Sequence, residues 1–180
     1  MTTALIVIDI QNDYFSGGSM ELVGSEQAAA NAARLLARFR AQGWPLVHIQ
    51  HLMARPGATF LLPGTPGAEI HPAVAPLAGE PVVQKHFPNS FRDTGLLDVL
   101  KQAGAHELVI CGMMTSMCVD ATVRAAFDLG FPCMVVHDAC ATRDLAFGGE
   151  TIPARQVHGA FLAALGAVYA RIAATDEYAA

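Results

Sequence analysis

The chain has little charge and no cluster of positive charge. Only 15% of its 180 residues are charged, the formal net charge is −5, and no run of Lys or Arg occurs. Proteins that bind nucleic acids need basic surfaces to neutralise phosphates. The composition therefore argues against a nucleic-acid partner.

Long apolar segments are also missing near the N-terminus. No basic region precedes the first apolar run, and residues 5–10 are too few for a signal core or a membrane span. We expect no membrane partner and a cytoplasmic location.

Cytosolic thiols are kept reduced, so we expect free thiols rather than disulfides at the four cysteines, Cys111, Cys118, Cys133 and Cys140.

Apolar residues are abundant. They make up 53% of the chain, and a chain of this size buries roughly 70% of the surface that its unfolded form exposes. One domain covering residues 1–180 is expected. Because permanent subunit interfaces resemble a core cut in half, part of the apolar surplus predicts a homo-oligomer, a dimer or larger.

Short apolar runs alternate with helical patterns, which is typical of an α/β fold with a mostly parallel sheet. The predicted strands cover residues 4–9, 45–50, 81–85, 107–111, 133–136 and 168–172. The predicted helices cover residues 25–42, 94–102, 116–129 and 153–165. The connection 52–80 is rich in Pro and Gly and unusually long, which predicts a lid or an interface arm.

Three chemically suitable residues fall at one edge of this sheet, where open parallel sheets bind ligands. Asp9 ends the first predicted strand, Lys85 ends the third, and Cys118 follows the fourth in a strand-to-helix turn. Each also has a structural interpretation: Asp9 as a loop cap, Lys85 as an exposed lysine, and Cys118 as a small buried residue.

A thiol in a first helical turn is expected to have a lowered pKa, because unpaired N–H groups favour the thiolate. Asp9 could take the thiol proton, Lys85 could hold the charges in place, and free N–H groups could stabilise an oxyanion. Cys111 and Cys133 lie inside apolar strands, where burial raises a thiol pKa. Cys140, at a strand end, is the second candidate for a reactive thiol.

Metal and nucleotide cofactors are not expected. Residues three apart on a strand face opposite sides, so His48 and His51 should not share an ion, and no carboxylate lies beside them in the sequence. Residues 11–15 lack the glycines of a dinucleotide-binding loop. Four rings flank the predicted edge and could line a pocket, or could be ordinary packing: Phe15, Phe60, His86 and Phe91.

Three motifs in this order resemble the isochorismatase-like cysteine hydrolase family: Val-Ile-Asp-Ile-Gln-Asn-Asp at 7–13, Lys85-His86, and Gly-Met-Met-Thr-Ser-Met-Cys-Val-Asp at 112–120. The resemblance implies a Rossmann-like three-layer sandwich, with six mostly parallel strands and helices on both faces. It implies a catalytic triad of Asp9, Lys85 and Cys118. It also implies a cis peptide between Met113 and Met114, which would aim the Met114 and Cys118 amides into an oxyanion hole.

The resemblance further implies a reaction class. Family members that cleave the vinyl ether of isochorismate generally lack the cysteine, so Cys118 favours cleavage of a small amide, carbamoyl or ureido C–N bond through an acyl-enzyme. Nicotinamidases in the family carry an Asp-x-His metal motif, and the matching stretch Ile49-Gln50-His51 lacks the Asp. Two alternatives are a vinyl-ether hydrolase and a non-catalytic, redox-reactive oligomer.

Overall fold

A computed structural model describes residues 2–178 as a six-stranded parallel sheet with a separate hairpin. The strand order is β3-β2-β1-β4-β5-β8. The sheet strands are β1 (Thr2–Ile8), β2 (Leu46–His51), β3 (Val82–Lys85), β4 (Ala105–Met113), β5 (Cys133–Ala141) and β8 (Arg171–Ala173). The hairpin pairs β6 (Leu145–Phe147) with β7 (Glu150–Ile152) in antiparallel fashion.

Helices cover the sheet in two groups. The α-helices are α1 (Ser25–Gln42), α2 (Leu96–Gln102), α3 (Asp120–Asp128), α4 (Ala154–Val168) and α5 (Thr175–Tyr178). Helix α1 packs against α5, α3 packs against α4, and both groups contact the sheet. The predicted α/β architecture is therefore confirmed. No helix among residues 2–178 is long and apolar enough to cross a membrane.

Apolar spacing explains why α1 lies on the sheet. Ala28, Leu35, Leu36 and Phe39 recur at helical intervals and are buried, which places one stripe of the helix against the core. The helix ends at Gly43, whose left-handed backbone (φ 62°) suits a residue without a side chain.

Several predicted boundaries are wrong, and two of them mistake one kind of element for another. The last strand was expected from residue 168, but α4 continues through Val168 and β8 begins at Arg171. The apolar spacing of Val157, Leu162 and Leu165 keeps the helical period, and Val168 is an exposed residue of its last turn. The helix expected from residue 116 begins instead as a π-helical turn, Thr115–Val119, and α3 starts at Asp120.

The long connection after β2 is anchored to the protein. It contains two short 3-10 helices, Pro66–Ala68 and Pro72–Val74. Asp13 Oδ2 accepts a hydrogen bond of 2.6 Å from the Leu61 amide, and Leu61 is buried. The Gln11 side chain donates to the Ala68 carbonyl at 2.7 Å. These bonds tie the connection to the segment that follows β1, beside the carboxyl edge of the sheet.

Candidate active site

The structure brings Asp9, Lys85 and Cys118 together at the carboxyl edge of the sheet. Asp9 directly follows β1, Lys85 is the last residue of β3, and Cys118 lies in the π-helical turn after β4. Their exposed fractions are 0%, 1% and 3%. Three polar side chains at the carboxyl ends of strands of one sheet are thus withdrawn from solvent, which is unusual unless they are paired or functional.

Asp9 and Lys85 form a buried ion pair. Lys85 Nζ lies 2.7 Å from Asp9 Oδ2. Burial acts to raise the pKa of Asp9, but the Lys85 charge and His51 outweigh it, and the pKa is lowered. Burial acts to lower the pKa of Lys85, but the Asp9 charge outweighs it, and that pKa is raised. Both groups are therefore charged at neutral pH.

The backbone and free oxygen of Asp9 set it apart from a loop cap. Its φ of 49° is left-handed, a conformation that costs free energy for a non-glycine residue and recurs at functional sites. Among residues 2–178, no hydrogen-bond partner faces Asp9 Oδ1. The interpretation of Asp9 as a loop cap is not supported, since a cap needs an amide donor.

The thiol of Cys118 does not have the lowered pKa that a helix start predicts. Burial and the negative charge of Asp9 raise the pKa well above the ordinary value, although Lys85 opposes them. Burial and the facing carboxylate therefore outweigh any advantage of a helix start. Cys118 is consequently a protonated thiol in the resting protein.

The other three cysteines are buried free thiols. Burial raises the pKa of Cys111 and of Cys133, as expected for cysteines inside strands. Burial also raises the pKa of Cys140 to about 12, and its sulfur lies 3.4 Å from the Val136 carbonyl. Only Cys118 lies beside a carboxylate and an ammonium group, so it remains the first candidate for the nucleophile.

His51 belongs to the same cluster, although it was not among the residues predicted for the catalytic site. Its Nδ1 atom lies 2.9 Å from Lys85 Nζ, 3.7 Å from Cys118 Sγ and 3.7 Å from Asp9 Oδ2. An ammonium group can only donate, so Nδ1 accepts and the ring hydrogen is on Nε2. Among the described residues, Nε2 has no hydrogen-bond partner. The ring therefore offers a buried donor.

A signal for His51 existed in the sequence. His51 ends β2 at the same edge as Asp9, and it pairs in register with Lys85. The expected separation of His48 from His51 agrees with the structure, because His48 Nε2 contacts Glu80 at 2.9 Å instead. No carboxylate lies beside these histidines in the sequence, but Glu80 and Asp9 reach them from other segments.

Asp9, His51 and Cys118 also have the chemistry of a metal site. One ligand atom from each lies within 4.8 Å of the other two. However, the Lys85 ammonium contacts both Asp9 Oδ2 and His51 Nδ1, at 2.7 Å and 2.9 Å. These donors already surround a cation that belongs to the protein, so they do not fit a metal ion while Lys85 is charged.

A cavity of about 420 Å³ opens onto Cys118. Its wall includes His51, Phe60, His86, Met114, Ser116 and Cys118. Two of the four predicted pocket rings, Phe60 and His86, are thus part of the wall. Phe15 stacks on His71 and Phe91 stacks on Phe131, so these two rings are packed within the protein instead. The peptide between Met113 and Met114 is cis.

A buried thiol, carboxylate and lysine at the carboxyl edge of a parallel sheet are typical of a class of α/β hydrolases. The chain belongs to the isochorismatase family: the family model described as the isochorismatase domain matches residues 3–163. The uncharacterized isochorismatase family protein YddQ of Bacillus subtilis is 52% identical over 178 residues, which cover 99% of each chain. The resemblance read from the three motifs is confirmed.

Solved and named relatives agree with this membership. The structure of an isochorismatase hydrolase from Oleispira antarctica has a TM-score of 0.95 and 56% identity, covering 99% of this chain and 96% of that one. A streptothricin hydrolase of Streptomyces noursei is 42% identical, covering 84% of this chain and 55% of its own length. A nicotinamidase of Acinetobacter baylyi is 30% identical, covering 79% and 82%.

Proposed function

We propose that this protein is a cysteine hydrolase that cleaves a small amide, carbamoyl or ureido C–N bond through an acyl-enzyme on Cys118. One observation carries the proposal: Cys118 lies at the wall of a cavity and beside the buried Asp9–Lys85 ion pair. Relatives named streptothricin hydrolase and nicotinamidase support a hydrolase of this kind.

Asp9 and Cys118 are the proton acceptor and the nucleophile of the first step. The thiol is protonated and the carboxylate is charged, so the thiol proton moves to Asp9 as sulfur attacks the substrate carbonyl. Lys85 keeps Asp9 ionised until that moment. The C–N bond then breaks, and the leaving amine or ammonia takes the proton from Asp9. The product of this step is a thioester on Cys118.

Water completes the cycle. Asp9 accepts a proton from a water molecule as the water oxygen attacks the thioester carbonyl. The carbon–sulfur bond breaks, the acid product leaves, and the proton returns to the sulfur of Cys118. The net reaction adds one water molecule across the C–N bond, and no cofactor takes part.

Oxyanion stabilisation is assigned to the backbone amides of Met114 and Cys118. Both residues line the cavity, and both belong to the turn that follows β4. Preorganised N–H donors in a site sheltered from water are often the largest single contribution to acyl transfer. Phe60 and His86 form the wall on which substrate rests. His86 Nδ1 donates to the Leu52 carbonyl at 2.8 Å, which fixes its ring.

The burial of Cys118 favours this reaction over a redox-reactive thiol. Only 3% of the residue is exposed, and its pKa is raised, whereas redox-sensing thiols are exposed and acidic. A vinyl-ether hydrolase needs no nucleophilic sulfur, so the placement of Cys118 beside Asp9 would have no purpose there.

The cellular setting follows from the same features. We place the enzyme in the cytoplasm, because four buried free thiols suit a reducing compartment. We also treat residues 1–180 as a single domain. We also propose a homo-oligomer. Large apolar side chains such as Phe147 (82% exposed) and Leu129 (47% exposed) would be covered in a subunit interface.

The test is product release from a panel of amides, carbamoyl compounds and ureido compounds, with isochorismate included. Wild type should release acid and ammonia or amine, and Cys118→Ala should lose at least a thousandfold in kcat/KM with an unchanged circular dichroism spectrum. Cys118→Ala that retains most of its activity on isochorismate would identify the vinyl-ether reaction and refute the proposal.

A further inference from the structure

The mouth of the catalytic cavity carries positive charge only. Arg55 and Arg143 line it, and within residues 2–178 no Asp or Glu does so. The chain as a whole has 16 acidic and 11 basic residues, so an all-positive lining is the opposite of its average surface. Clefts lined by one sign of charge concentrate ligands of the other sign.

Arg143 is held in place by its chain neighbours. Thr142 is buried, its hydroxyl lies 2.8 Å from the Ser116 hydroxyl, and its carbonyl accepts the Val23 amide at 3.0 Å. The adjacent Asp144 accepts the Ala154 amide at 2.7 Å, at the start of α4. The residues on both sides of Arg143 are therefore anchored, and the nearest carboxylate in sequence is engaged elsewhere.

Neither arginine has a carboxylate partner among the described residues. Tyr14 links Arg143 to the reaction centre, since Tyr14 lines the same cavity. Burial raises the pKa of Tyr14, the thiolate form of Cys118 raises it further, and the charge of Arg143 opposes both. One phenol thus lies within electrostatic range of both residues.

We propose that the cavity selects substrates that carry a carboxylate, which Arg143 binds while the carbonyl carbon of the scissile bond faces Cys118. Arg55 adds a second positive charge at the same mouth. A guanidinium binds a carboxylate through two parallel hydrogen bonds, which fixes direction as well as distance. This inference rests on the proposed function and narrows its substrate class to amide, carbamoyl or ureido derivatives of small carboxylic acids.

A matched pair of thiol reagents tests the inference without knowledge of the substrate. 3-Maleimidopropionate is anionic and its methyl ester is neutral, and in both the thiol adds across the same carbon–carbon double bond, with the proton going to carbon. The two reagents compete for the native protein, and peptide mass spectrometry measures the ratio of the adducts on Cys118. The same ratio in urea-unfolded protein gives the intrinsic preference.

The expected result is an anionic-to-neutral ratio at Cys118 about tenfold higher in the native protein than in the unfolded protein, as one charge-assisted contact predicts. Arg143→Gln should remove most of this preference. Arg171→Gln should keep the preference for the anionic reagent, because Arg171 lies on the outermost strand β8 and does not line the cavity.

Three results would overturn the inference. A native ratio equal to the unfolded ratio would refute the selection of anions by the cavity. A raised ratio that Arg143→Gln leaves unchanged would refute the role of Arg143 in that selection. Failure of both reagents to label Cys118 in the native protein, even after prolonged reaction at pH 9, would place the thiol out of reach of the cavity and refute the proposed function. The first two results leave the cysteine chemistry intact, so the two failures are distinguishable.

Discussion

Lys85 Nζ lies 2.7 Å from Asp9 Oδ2, and both side chains are withdrawn from solvent at the ends of separate strands. Buried ion pairs are costly to break, because removal of one partner leaves an uncompensated charge. This pair places a charged carboxylate next to a thiol that remains protonated. The proposed catalysis by Cys118 depends on that arrangement.

Lys85→Met should destabilise the protein by about 3–5 kcal/mol at pH 7, because Asp9 would lose its counter-charge. Without Lys85, burial raises the pKa of Asp9, so the loss should shrink as pH falls and Asp9 takes up a proton. Urea unfolding at pH 7 and pH 4 measures both effects. The double variant Asp9→Asn/Lys85→Met should be more stable than the single variant; equal stability of wild type and Lys85→Met would contradict a charged pair.

His51 should contribute to activity through its unpaired Nε2–H donor. In His51→Asn, the amide oxygen can replace Nδ1 as the acceptor for Lys85, while the Nε2 donor is lost. We expect about a tenfold fall in kcat/KM with little change in Tm, the effect of one hydrogen bond to substrate. His51→Leu should lower both quantities. Wild-type kcat/KM in His51→Asn would assign the ring a purely structural role.

The rate of alkylation of Cys118 should be low at neutral pH and should keep rising above pH 9. Burial and the charge of Asp9 raise the thiol pKa, so the thiolate fraction still increases where an ordinary cysteine, of pKa about 8.5, approaches its plateau. Peptide-level labelling with iodoacetamide from pH 6 to 10 measures the profile. A plateau near pH 7 would indicate a thiolate stabilised by Lys85 and would contradict the proton transfer assigned to Asp9.

Glu80 should make the fold sensitive to acid. Hydrogen bonding to Arg40, at 2.7 and 2.8 Å, lowers the Glu80 pKa from 4.5 to about 2. A carboxyl group with a lowered pKa stabilises the fold above its ordinary pKa, and this contribution is lost as pH falls through the folded value. Stability should therefore fall more steeply between pH 4.5 and 2 in wild type than in Glu80→Gln. Urea titrations of both proteins at several pH values would show the difference. Identical dependence of stability on pH in the two proteins would exclude the Arg40–Glu80 ion pair as a cause of acid sensitivity.

Gly112 should tolerate no side chain. Its φ is 127°, and a Cβ atom there would overlap the Ile8 carbonyl oxygen of the neighbouring strand β1. Gly112→Ala should cost more than about 4 kcal/mol, in the range of severe core substitutions. Gly130→Ala is the matched control, since Gly130 also has a positive φ but nothing lies within 4 Å of its added Cβ. Equal unfolding free energies for the two variants would contradict this packing.

Much of the fold could be predicted because its strands are apolar and end in polar residues. Asp9 and Lys85 were visible as the polar ends of apolar runs, and parallel pairing brings such ends to one edge. The extension of α4 through Val168 was not visible, because a short apolar run near a helix end is compatible with helix and strand alike.

The chemistry of the site was less visible, since it depends on distances between segments. The raised pKa of Cys118 follows from burial and from the carboxylate of Asp9, which lies more than a hundred residues earlier in the chain. Phe15 and Phe91 were grouped with Phe60 by their position near the edge, but stacking on His71 and Phe131 directs their rings elsewhere. Residue type and strand position alone do not encode such contacts.

Rapid-quench mass spectrometry of the intact protein and of its peptides, during turnover of an amide substrate, tests the central claim most directly. The account predicts a transient mass increase equal to the acyl group, located on the Cys118 peptide in wild type and absent in Cys118→Ala. Steady product formation by wild type with no adduct on Cys118 at any quench time, and the same rate in Cys118→Ala, would contradict the covalent mechanism.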